Sequence, residues 1–431
     1  MYKILALLIL MPLSHNIFSQ SLSEIEKQIV NFVNLHVSDA EKLLENVVNI
    51  NSGTLNKEGV KKVGEIISTE FKNAGFSTEW VLLTDSLNRA GHLVATRKGK
   101  KGKKIFLIGH LDTVFEPEMS FTPFTRLNDS TATGHGANDM KGGDVVSIFA
   151  LQALHSLGLL DDATITVYFT SDEEKPGLPS SVSRKDFIER GKNFDIALGF
   201  ETANGLHTIA TARRGASSWK LTVTGKTGHS SGVFSEGSGY GAIYETARIL
   251  NSFREELSLE KYLTFNPGII IGGSIMTFDD KTAKGEAIGK TNIISPVVMV
   301  TGDLRFLTEA QKEDARGKMK TKVTKSLNGT NATIRFQDGI PSMSPTDGNN
   351  GVLKVIDETS RAMGLGASYA GYPGLRDAID ISYIAQYLDC VDGLGASGTG
   401  AHAKGETINL KEFPFLIQRA AILLYRLIQT N

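Results

Sequence analysis

Three short apolar segments separated by helical patterns constrain the fold of this chain more than any other feature. The segments cover residues 104 to 109, 164 to 170 and 195 to 200, and the stretch Val145 to Leu157 has the apolar spacing of a helix. Continuous apolar strands that alternate with helices are typical of a parallel sheet with both faces covered. We therefore expect an α/β domain with a mixed, mainly parallel sheet that carries helices on both faces.

The N-terminal region after residue 20 is predicted to be helical. Helical patterns cover residues 23 to 35, 39 to 50 and 57 to 74. Ser38, with Glu41 three residues later, matches a capping box, which predicts a break between the first two helices.

The order of elements changes between residues 212 and 339. Strand, helix, strand, strand, helix and strand follow one another there, as in a ferredoxin-like α+β module. The α/β pattern resumes after Pro341 and ends in a helix at residues 411 to 430, so we interpret the module as an insertion. This predicts a main domain of residues 21–211 and 340–431 and an inserted domain of residues 212–339. The strands of the inserted domain are predicted near residues 219 to 224, 268 to 277, 293 to 306 and 332 to 336, and its helices near 240 to 255 and 309 to 325.

The first twenty residues differ from the rest of the chain. Lys3 precedes an apolar run from Ile4 to Leu13, and a polar stretch follows, which is the layout of a secretory signal peptide. The run is roughly half of the ~20 residues needed to span a bilayer, so we expect residues 1–20 to be removed and no stable membrane anchor to remain. This predicts an exported protein, periplasmic or secreted. The single Cys390 cannot form an intrachain disulfide and is interpreted as a small core residue.

The charge balance argues against nucleic acid as a partner. With 46 basic and 47 acidic residues the net charge is -1, which gives no overall field that would attract a polyanion. The basic run from Lys98 to Lys104 has no interleaved aromatic residues and is interpreted as a solvated hairpin tip. Any charge-based chemistry must therefore be local.

Acidic and imidazole side chains follow each of the three apolar strands. His110 and Asp112 follow the first strand, Glu173 and Glu174 the second, and Glu201 the third. In open parallel sheets the ligand crevice lies at the carboxyl ends of the strands, so these side chains are expected to converge on one site.

Two glycine-rich segments add further candidates to this site. Asp139 lies in one of them and His402 ends the other. Carboxylates buried together repel one another unless cations neutralise them. Histidine and carboxylate ligands suit zinc or a similar divalent ion, and a carboxylate shared between two ions ~3.5 to 4 Å apart is the usual two-metal arrangement. The sequence therefore predicts a metal centre.

The segments around these residues resemble the five metal-site motifs of the M20 metallopeptidase family, in particular its glutamate carboxypeptidase-like and aminoacylase-like members. The likeness covers nearly the whole chain from about residue 25. It implies two zinc ions per chain and identifies the insertion as the family's lid or dimerisation domain, so that a homodimer through the lid is one expectation. The implied ligands are Asp139 as the bridge between the zincs, His110 and Glu201 on one ion, and Glu174 and His402 on the other.

The same resemblance implies roles in catalysis. Glu173 would be the general base that takes a proton from the water between the two zincs, and Asp112 would orient His110. His229 matches the lid histidine that stabilises the oxyanion, in some dimers by reaching across to the other subunit.

Substrate-contacting positions are also implied. Asn292 and Arg305 match lid positions that contact the substrate carboxylate. Two departures put a glutamate-specific pocket in doubt: Ile340 stands where the glutamate carboxypeptidases have an arginine, and Arg376 stands where the family has a small hydroxyl residue. Arg376 is therefore a candidate for a different anion clamp.

Simpler interpretations stay open for several of these residues. Glycine-flanked histidines such as His229 also occur as plain turn residues. For Arg305 the simpler interpretation is an ion pair with Asp303 or another neighbouring acid and no further role. His135 fits the variable position of the loop that contains Asp139, and the remaining histidines are interpreted as structural.

Together these features predict a di-zinc hydrolase that cleaves an amide or peptide bond of a small substrate with a free carboxylate, such as a dipeptide or short peptide. An N-acyl amino acid amidohydrolase of the same family is the first alternative. A catalytically silent, metal-dependent receptor for peptides and an interaction scaffold acting through the inserted module are the others. Glu173 argues against the silent receptor, because a protein that only binds has no need for a general base.

Overall fold

The computed structural model describes residues 21–375 and 377–430. The predicted signal peptide, residues 1–20, and Arg376 lie outside the described residues. In the described part of the chain the helices are α1 Glu24–Val48, α2 Lys57–Asn73, α3 Gly142–Ser156, α4 Ser180–Ser183, α5 Lys185–Gly191, α6 Gly241–Leu257, α7 Glu309–Val323, α8 Asp347–Ala362 and α9 Phe413–Gln429.

In the described residues the strands form one six-stranded sheet, two four-stranded sheets and three two-stranded ones. In chain order they are β1 Ser77–Val81, β2 His92–Arg97, β3 Lys101–His110, β4 Thr125–Asn128, β5 Thr131–Thr133, β6 Ala163–Thr170, β7 Ile196–Gly199, β8 Thr208–Ile209, β9 Gly215–Gly225, β10 Gly228–His229, β11 Thr264–Gly273, β12 Ile275–Asp279, β13 Lys284–Ile288, β14 Ile293–Ile294, β15 Val297–Phe306, β16 Thr330–Asp338, β17 Tyr369–Ala370, β18 Asp389–Val391, β19 Gly398–Thr399 and β20 Thr407–Asn409.

The large sheet has the order β1-β2-β6-β3-β7-β18. Strands β6, β3, β7 and β18 are parallel, while β1 and β2 extend one edge with antiparallel pairings. Successive residues of β3 point to opposite faces, so that Leu107 packs in the core with α1, α2, α3 and α9 and Phe106 packs in the core with α5. The expected mixed, mainly parallel sheet with helices on both faces is confirmed.

The first two predicted helices form one continuous helix, α1, so the predicted break at Ser38 is wrong. The capping box lies earlier in the chain: Oγ of Ser23 accepts from the backbone N–H of Glu26, and the Glu26 carboxylate accepts from the backbone N–H of Ser23. The buried stripe of α1 continues in phase from Val33 to Ala40, and neither proline nor glycine interrupts it. A Ser-x-x-Glu match therefore does not begin a helix where the apolar face is continuous.

The inserted segment forms an antiparallel four-stranded sheet with the order β11-β15-β9-β16. Helices α6 and α7 pack on it around a separate core that includes Trp219, Phe253 and Met319. The order of strands and helices is that of the predicted ferredoxin-like module, hereafter the lid.

Two details of the lid differ from the predicted elements. The strand predicted at residues 268 to 277 is two strands, β11 and β12, and β12 pairs with β13 in an exposed hairpin that was not predicted. All residues of β13 are exposed. A strand with no buried face does not need alternating apolar residues, so the sequence has no pattern from which β13 could be predicted. The strand predicted at residues 293 to 306 is divided at Pro296, which has no N–H for a ladder hydrogen bond.

Both connections between the lid and the main domain cross side by side. The backbone N–H of Arg213 donates to the carbonyl of Met343 at 2.9 Å, and the N–H of Met343 donates to the carbonyl of Arg213 at 3.1 Å. Three residues further into the lid, the N–H of Ala216 donates to the carbonyl of Ile340. The two crossings therefore form a short antiparallel bridge.

Cys390 is fully buried, as expected of a core residue. Within residues 21–375 and 377–430, no helix is both long and apolar enough to cross a membrane.

Candidate metal centre and active site

The parallel pairing of three neighbouring strands places the predicted ligands at one edge of the sheet. Strand β3 lies between β6 and β7, and its last residue, His110, pairs with Thr170 at the end of β6. On the other side Ile108 pairs with Gly199 at the end of β7. The segments that follow, with Glu173 and Glu201, therefore leave the sheet on the same side as His110.

His110, Asp139 and Glu201 form the first candidate metal group. Nε2 of His110 lies 3.5 Å from Oδ1 of Asp139 and 3.4 Å from Oε1 of Glu201. One potential ligand atom from each side chain lies within 4.8 Å of the other two. His110 is buried, and the Asp139 and Glu201 side chains are only 12% and 13% exposed.

Asp139, Glu174 and His402 form the second candidate group. Nε2 of His402 lies 3.1 Å from Oδ2 of Asp139 and 3.1 Å from Oε2 of Glu174. Asp139 belongs to both groups and turns a different oxygen to each histidine. The His402 side chain is 57% exposed, so the second group is the one that solvent reaches more easily.

The charges at the site perturb one another strongly. Burial alone would raise the pKa of Asp139, but the neighbouring imidazoles of His110 and His402 lower that pKa. Hydrogen bonds with Asp139 and Glu174 raise the pKa of His402 to about 11. Burial raises the pKa of Glu201, and the nearby Asp139 carboxylate raises it further. The converging carboxylates thus make this a place where positive charge is stabilised.

The residues fit a pair of divalent cations. Nε2 of His110 and Oε1 of Glu174 are buried, and neither has a hydrogen-bond partner among the described residues. Buried polar atoms are normally satisfied, so both atoms have a lone pair that remains for a metal ion. Imidazole nitrogens with carboxylate oxygens form a donor set that zinc accepts.

Asp112 fixes the segments on both sides of His110. Its carboxylate lies 3.4 Å from Nδ1 of His110 and accepts the hydroxyl of Thr54 at 2.6 Å. It also accepts the backbone N–H groups of Glu173 and Glu174, at 3.1 and 3.2 Å. Asp112 is fully buried and therefore acts as a positioning residue for one candidate ligand and for the acidic pair.

Glu173 belongs to neither candidate metal group in the described chain. Burial raises its pKa well above the usual value; the positive charge of His110 opposes this shift, while the carboxylates of Glu201 and Asp380 add to it. A carboxyl group in such surroundings readily keeps a proton that it has accepted, which suits a general base that later acts as an acid.

A buried ion network below the acidic pair was not predicted from the sequence. Nη1 of Arg184 lies 2.5 Å from Oδ1 of Asp172, and its Nε lies 2.6 Å from Oδ1 of Asp380. The other oxygen of Asp380 accepts the hydroxyl of Thr170 at the end of β6. Because Asp172 directly precedes Glu173, the network anchors the segment with the candidate base. The only sequence signal was the acidic run at residues 172 to 174.

A second unpredicted ion pair connects the lid junction with the metal site. The carboxylate of Asp392 lies 2.6 Å from Nη2 of Arg213 and accepts the backbone N–H of Glu201 at 3.3 Å. Arg213 and Asp392 are both buried. The residue at the base of the lid is therefore two contacts away from a candidate ligand.

Glu406 is the third functional candidate that the sequence did not reveal. It is fully buried, and its carboxylate accepts the backbone N–H groups of Gly136, Asn138 and Asp139 at 2.7 to 3.0 Å. Burial raises the pKa of Glu406 to about 7 although these donors lower it. The four-residue spacing from His402 was the one signal available in the sequence.

His135, which lies in the same loop, has a structural role. Its ring stacks on Phe115 with the ring centroids 3.7 Å apart, and burial lowers its pKa. It belongs to neither candidate metal group in the described residues.

His229 and Asn292 come together on the lid. His229 pairs with Ile293 in the short β10–β14 ladder, and the N–H of Ser230 donates to the carbonyl of Asn292 at 2.9 Å. Both residues are exposed, in contrast to the candidate ligands. The structure thus brings the two predicted lid residues to one place, which lies outside both candidate metal groups.

Arg305 contacts two acids. Its Nε lies 3.0 Å from Asp303, and its Nη1 lies 3.6 Å from Asp377 in the loop after α8. Arg214 reaches the same oxygen of Asp377 at 3.4 Å. Arg305 therefore has the acidic neighbour that the simpler interpretation expects, and it also joins the lid to the loop of Arg376, whose side chain lies outside the described residues.

Comparisons with known proteins identify the family of this chain. The model of peptidase family M20/M25/M40 matches residues 106–426. Carboxypeptidase G2 of Pseudomonas sp. (strain RS-16) is 29% identical over 396 residues, which cover 89% of this chain and 88% of the relative. Succinyl-diaminopimelate desuccinylase of Methylobacterium radiotolerans is 30% identical over 203 residues, 45% of this chain and 51% of the relative.

Solved structures share the fold. Aminopeptidase PepT of Bacillus cereus superposes with a TM-score of 0.72 at 18% identity, covering 91% of this chain and 98% of PepT. The M20 family metallo-carboxypeptidase Sso-CP2 of Sulfolobus solfataricus gives a TM-score of 0.63 at 17% identity, covering 90% of this chain and 99% of that one. Since the family model spans most of the sequence, the chain belongs to peptidase family M20/M25/M40 and is a hydrolase of that metal-dependent family.

Proposed function

We propose that this M20 hydrolase holds two zinc ions and cleaves an amide or peptide bond of a small substrate with a free carboxylate, such as a dipeptide or short peptide. One observation carries the proposal: the two carboxylate oxygens of Asp139 face two different histidines, His110 and His402. A carboxylate placed in this way is the bridging ligand that a two-metal site requires.

The side chains around the site supply the proton transfers. Zinc ions at this position would polarise the scissile carbonyl and make water more acidic. Glu173 accepts a proton from the attacking water and returns it to the leaving amine, a role that its raised pKa supports. Asp112 holds the backbone of Glu173 while it contacts His110, so base and ligand keep a fixed separation.

His229 stabilises the oxyanion that forms when water adds to the carbonyl. The N–H of Ser231 donates to Nδ1 of His229 at 3.3 Å, which makes Nδ1 an acceptor. A neutral imidazole that accepts at Nδ1 has its proton on Nε2, so Nε2–H is left to donate to an oxyanion. Closure of the lid over the substrate would bring this donor to the site.

The substrate carboxylate binds Asn292, Arg305 and Arg376. The exposed Asn292 and the 32% exposed Arg305 remain accessible, and Asp377 at 3.6 Å occupies the guanidinium only partly. An N-acyl amino acid substrate is the alternative, and the similarity to a desuccinylase as well as a carboxypeptidase favours keeping it.

Two further parts of the proposal concern location and assembly. The pattern of residues 1–20 supports export to the periplasm or the medium.

The lid supports a homodimer, because Ile275 and Ile288 pair across the β12–β13 hairpin and are 61% and 66% exposed. Light scattering of the wild type and of the Ile275→Asp, Ile288→Asp double variant tests the dimer: we expect twice the chain mass for the wild type and the chain mass for the variant. A wild-type protein with the mass of one chain would contradict it.

The first experiment is elemental analysis of the purified protein with hydrolysis assays before and after chelation. We expect two zinc ions per chain and cleavage that chelator abolishes and added zinc restores, measured on a panel of dipeptides and N-acyl amino acids. Preference within the panel decides between peptidase and deacylase. Zinc-loaded protein that cleaves no member of the panel would favour the silent receptor or the scaffold.

Glu173→Gln tests the general base. We expect kcat to fall by about 10²- to 10⁴-fold, because the amide cannot accept a proton, with the zinc content unchanged. Glu118→Gln, at an exposed glutamate of the same domain, is the matched control and should keep wild-type kcat. A Glu173→Gln enzyme within tenfold of wild-type kcat would show that another group takes the proton.

A further inference from the structure

Glu406 connects the two loops that carry ligands of the second metal group. It lies four residues after His402, and its carboxylate accepts three backbone N–H groups of the turn that contains Asp139. Oε1 accepts from Asn138 at 2.7 Å and from Asp139 itself at 2.9 Å, and Oε2 accepts from Gly136 at 3.0 Å. One side chain therefore binds three of the six residues from Gly136 to Lys141.

The backbone of Glu406 adds further contacts to the same turn. Its carbonyl accepts the hydroxyl of Thr133 at 2.7 Å and the N–H of Gly134 at 3.3 Å. On the other side, the N–H of Glu406 donates to the carbonyl of Ala403, one residue after His402. The loop of His402 and the turn of Asp139 are thus joined through a single residue that water does not reach.

The turn needs an external support because its own backbone is irregular. Asp139 and Met140 have non-helical dihedral angles within the turn. Its closing backbone hydrogen bonds run from the N–H of Lys141 to the carbonyl of Gly136 and from the N–H of Gly142 to the carbonyl of Ala137. Without the Glu406 carboxylate, the N–H groups of Gly136, Asn138 and Asp139 would have no acceptor in the described part of the chain. Outer contacts of this kind hold ligands in the geometry that the metal requires.

We infer that Glu406 is a positioning residue that fixes Asp139 relative to His402 and thereby sets the zinc affinity of the site. The inference rests on the proposed zinc-dependent function and adds a determinant of metal binding that does not touch the metal. Removing partners of this kind typically weakens metal binding by ~10- to 100-fold.

The test is zinc binding by full-length Glu406→Gln, measured by competition with a chromophoric chelator. Glutamine keeps the size of the side chain but turns an NH₂ group toward one set of N–H donors. We expect zinc affinity to fall by about 10- to 100-fold, most strongly for the ion with His402 as a ligand. Glu412→Gln is the matched control. Glu412 lies six residues after Glu406 and accepts the hydroxyl of Ser397 at 2.6 Å, and it has no hydrogen bond with the Asp139 turn in the described chain. The zinc affinity of this variant should therefore equal that of the wild type.

The outcomes separate the inference from the proposed function. A wild-type protein that binds no zinc contradicts the proposed function. If the wild type binds two zinc ions and the zinc affinities of Glu406→Gln lie within twofold of the wild-type values, the inference alone is overturned. A merely structural role of Glu406 would lower the melting temperature of the variant without changing its zinc affinity.

Hydrogen exchange on the zinc-free wild type keeps the inference testable if the variant does not fold. We expect the amides of Gly136, Asn138 and Asp139 to be protected before any metal binds. Exchange of all three at the rate of unstructured peptide would show that Glu406 does not hold the turn.

Discussion

The metal-binding half of the site and the lid half are built in opposite ways. His110 and Asp112 are buried, and each segment with a candidate ligand has hydrogen bonds or ion pairs to a second segment. His229 and Asn292, on the lid, are exposed. Converging carboxylates are costly unless their positions are fixed, whereas groups that meet a substrate must stay accessible until it arrives. The difference teaches that the fold alone preorganises the first half, whereas under the proposed function the second half would reach the substrate by closure of the lid.

If the ion network holds the main-domain half of the site rigid, Arg184→Met should cause the largest loss of free energy among the proposed variants, as a lower free energy of unfolding. Removing one partner of a buried ion network costs ~3 to 5 kcal/mol, because Asp172 and Asp380 would remain charged without compensation. Denaturant unfolding of the zinc-free protein measures this loss. Arg190→Met, at a 30% exposed arginine paired with Asp186, is the control and should cost ~0 to 1 kcal/mol. Equal losses of unfolding free energy in the two variants would show that the buried ion network stabilises the protein no more than a surface ion pair does.

His229→Ala should affect catalysis and leave metal binding intact. Loss of an oxyanion donor typically lowers kcat by about 10²- to 10³-fold, and His229 belongs to neither metal group in the described chain, so the zinc content should stay at the wild-type level. Steady-state kinetics with elemental analysis checks both expectations. The exposed His207 provides the control variant, His207→Ala, with no expected change. Reduced zinc content in His229→Ala would mean that lid and metal site are not separate in the way described.

Arg305→Gln should have the smallest effect, confined to substrate binding. A hydrogen bond to a charged group contributes ~1.5 to 3 kcal/mol, so KM should rise about 10- to 100-fold for substrates with a free carboxylate and stay unchanged for their amides. The exposed Arg335 of the same sheet gives the control variant, Arg335→Gln. If KM changed equally for acid and amide, or for neither, Arg305 would serve only Asp303 and Asp377.

The sequence predicted which side chains converge at one edge of the large sheet, because the signals for this are local. Each of His110, Glu174 and Glu201 follows an apolar strand, and strand ends of a parallel sheet converge whatever the details of packing. The lid was predicted from the order of its elements for the same reason. The exposed hairpin of β12 and β13 was not predicted, because surface strands lack an apolar pattern. The unbroken helix α1 was not predicted, because a Ser-x-x-Glu motif can also lie within a helix whose apolar face is continuous.

The supporting residues were missed because their partners lie far away in the chain. Arg184 meets Asp380 across 196 residues, and Glu406 meets Asp139 across 267. Nothing in the spacing of one sequence indicates such a pair, since a buried charge is recognisable only when its counter-charge is placed beside it. Positioning residues are therefore the part of an active site that needs a structure.

The paired crossing at Arg213 and Met343 bears on how this protein can be engineered. Because the lid leaves and re-enters the main domain through two adjacent backbone segments, its ends are close enough for a short turn to replace it. We therefore expect that the lid of a relative can be joined at these two segments, provided that the pair of Arg213 and Asp392 is kept. Under the proposed function, a chimaera of that kind would keep the residues of both candidate metal groups and would take its lid contacts with the substrate from the relative.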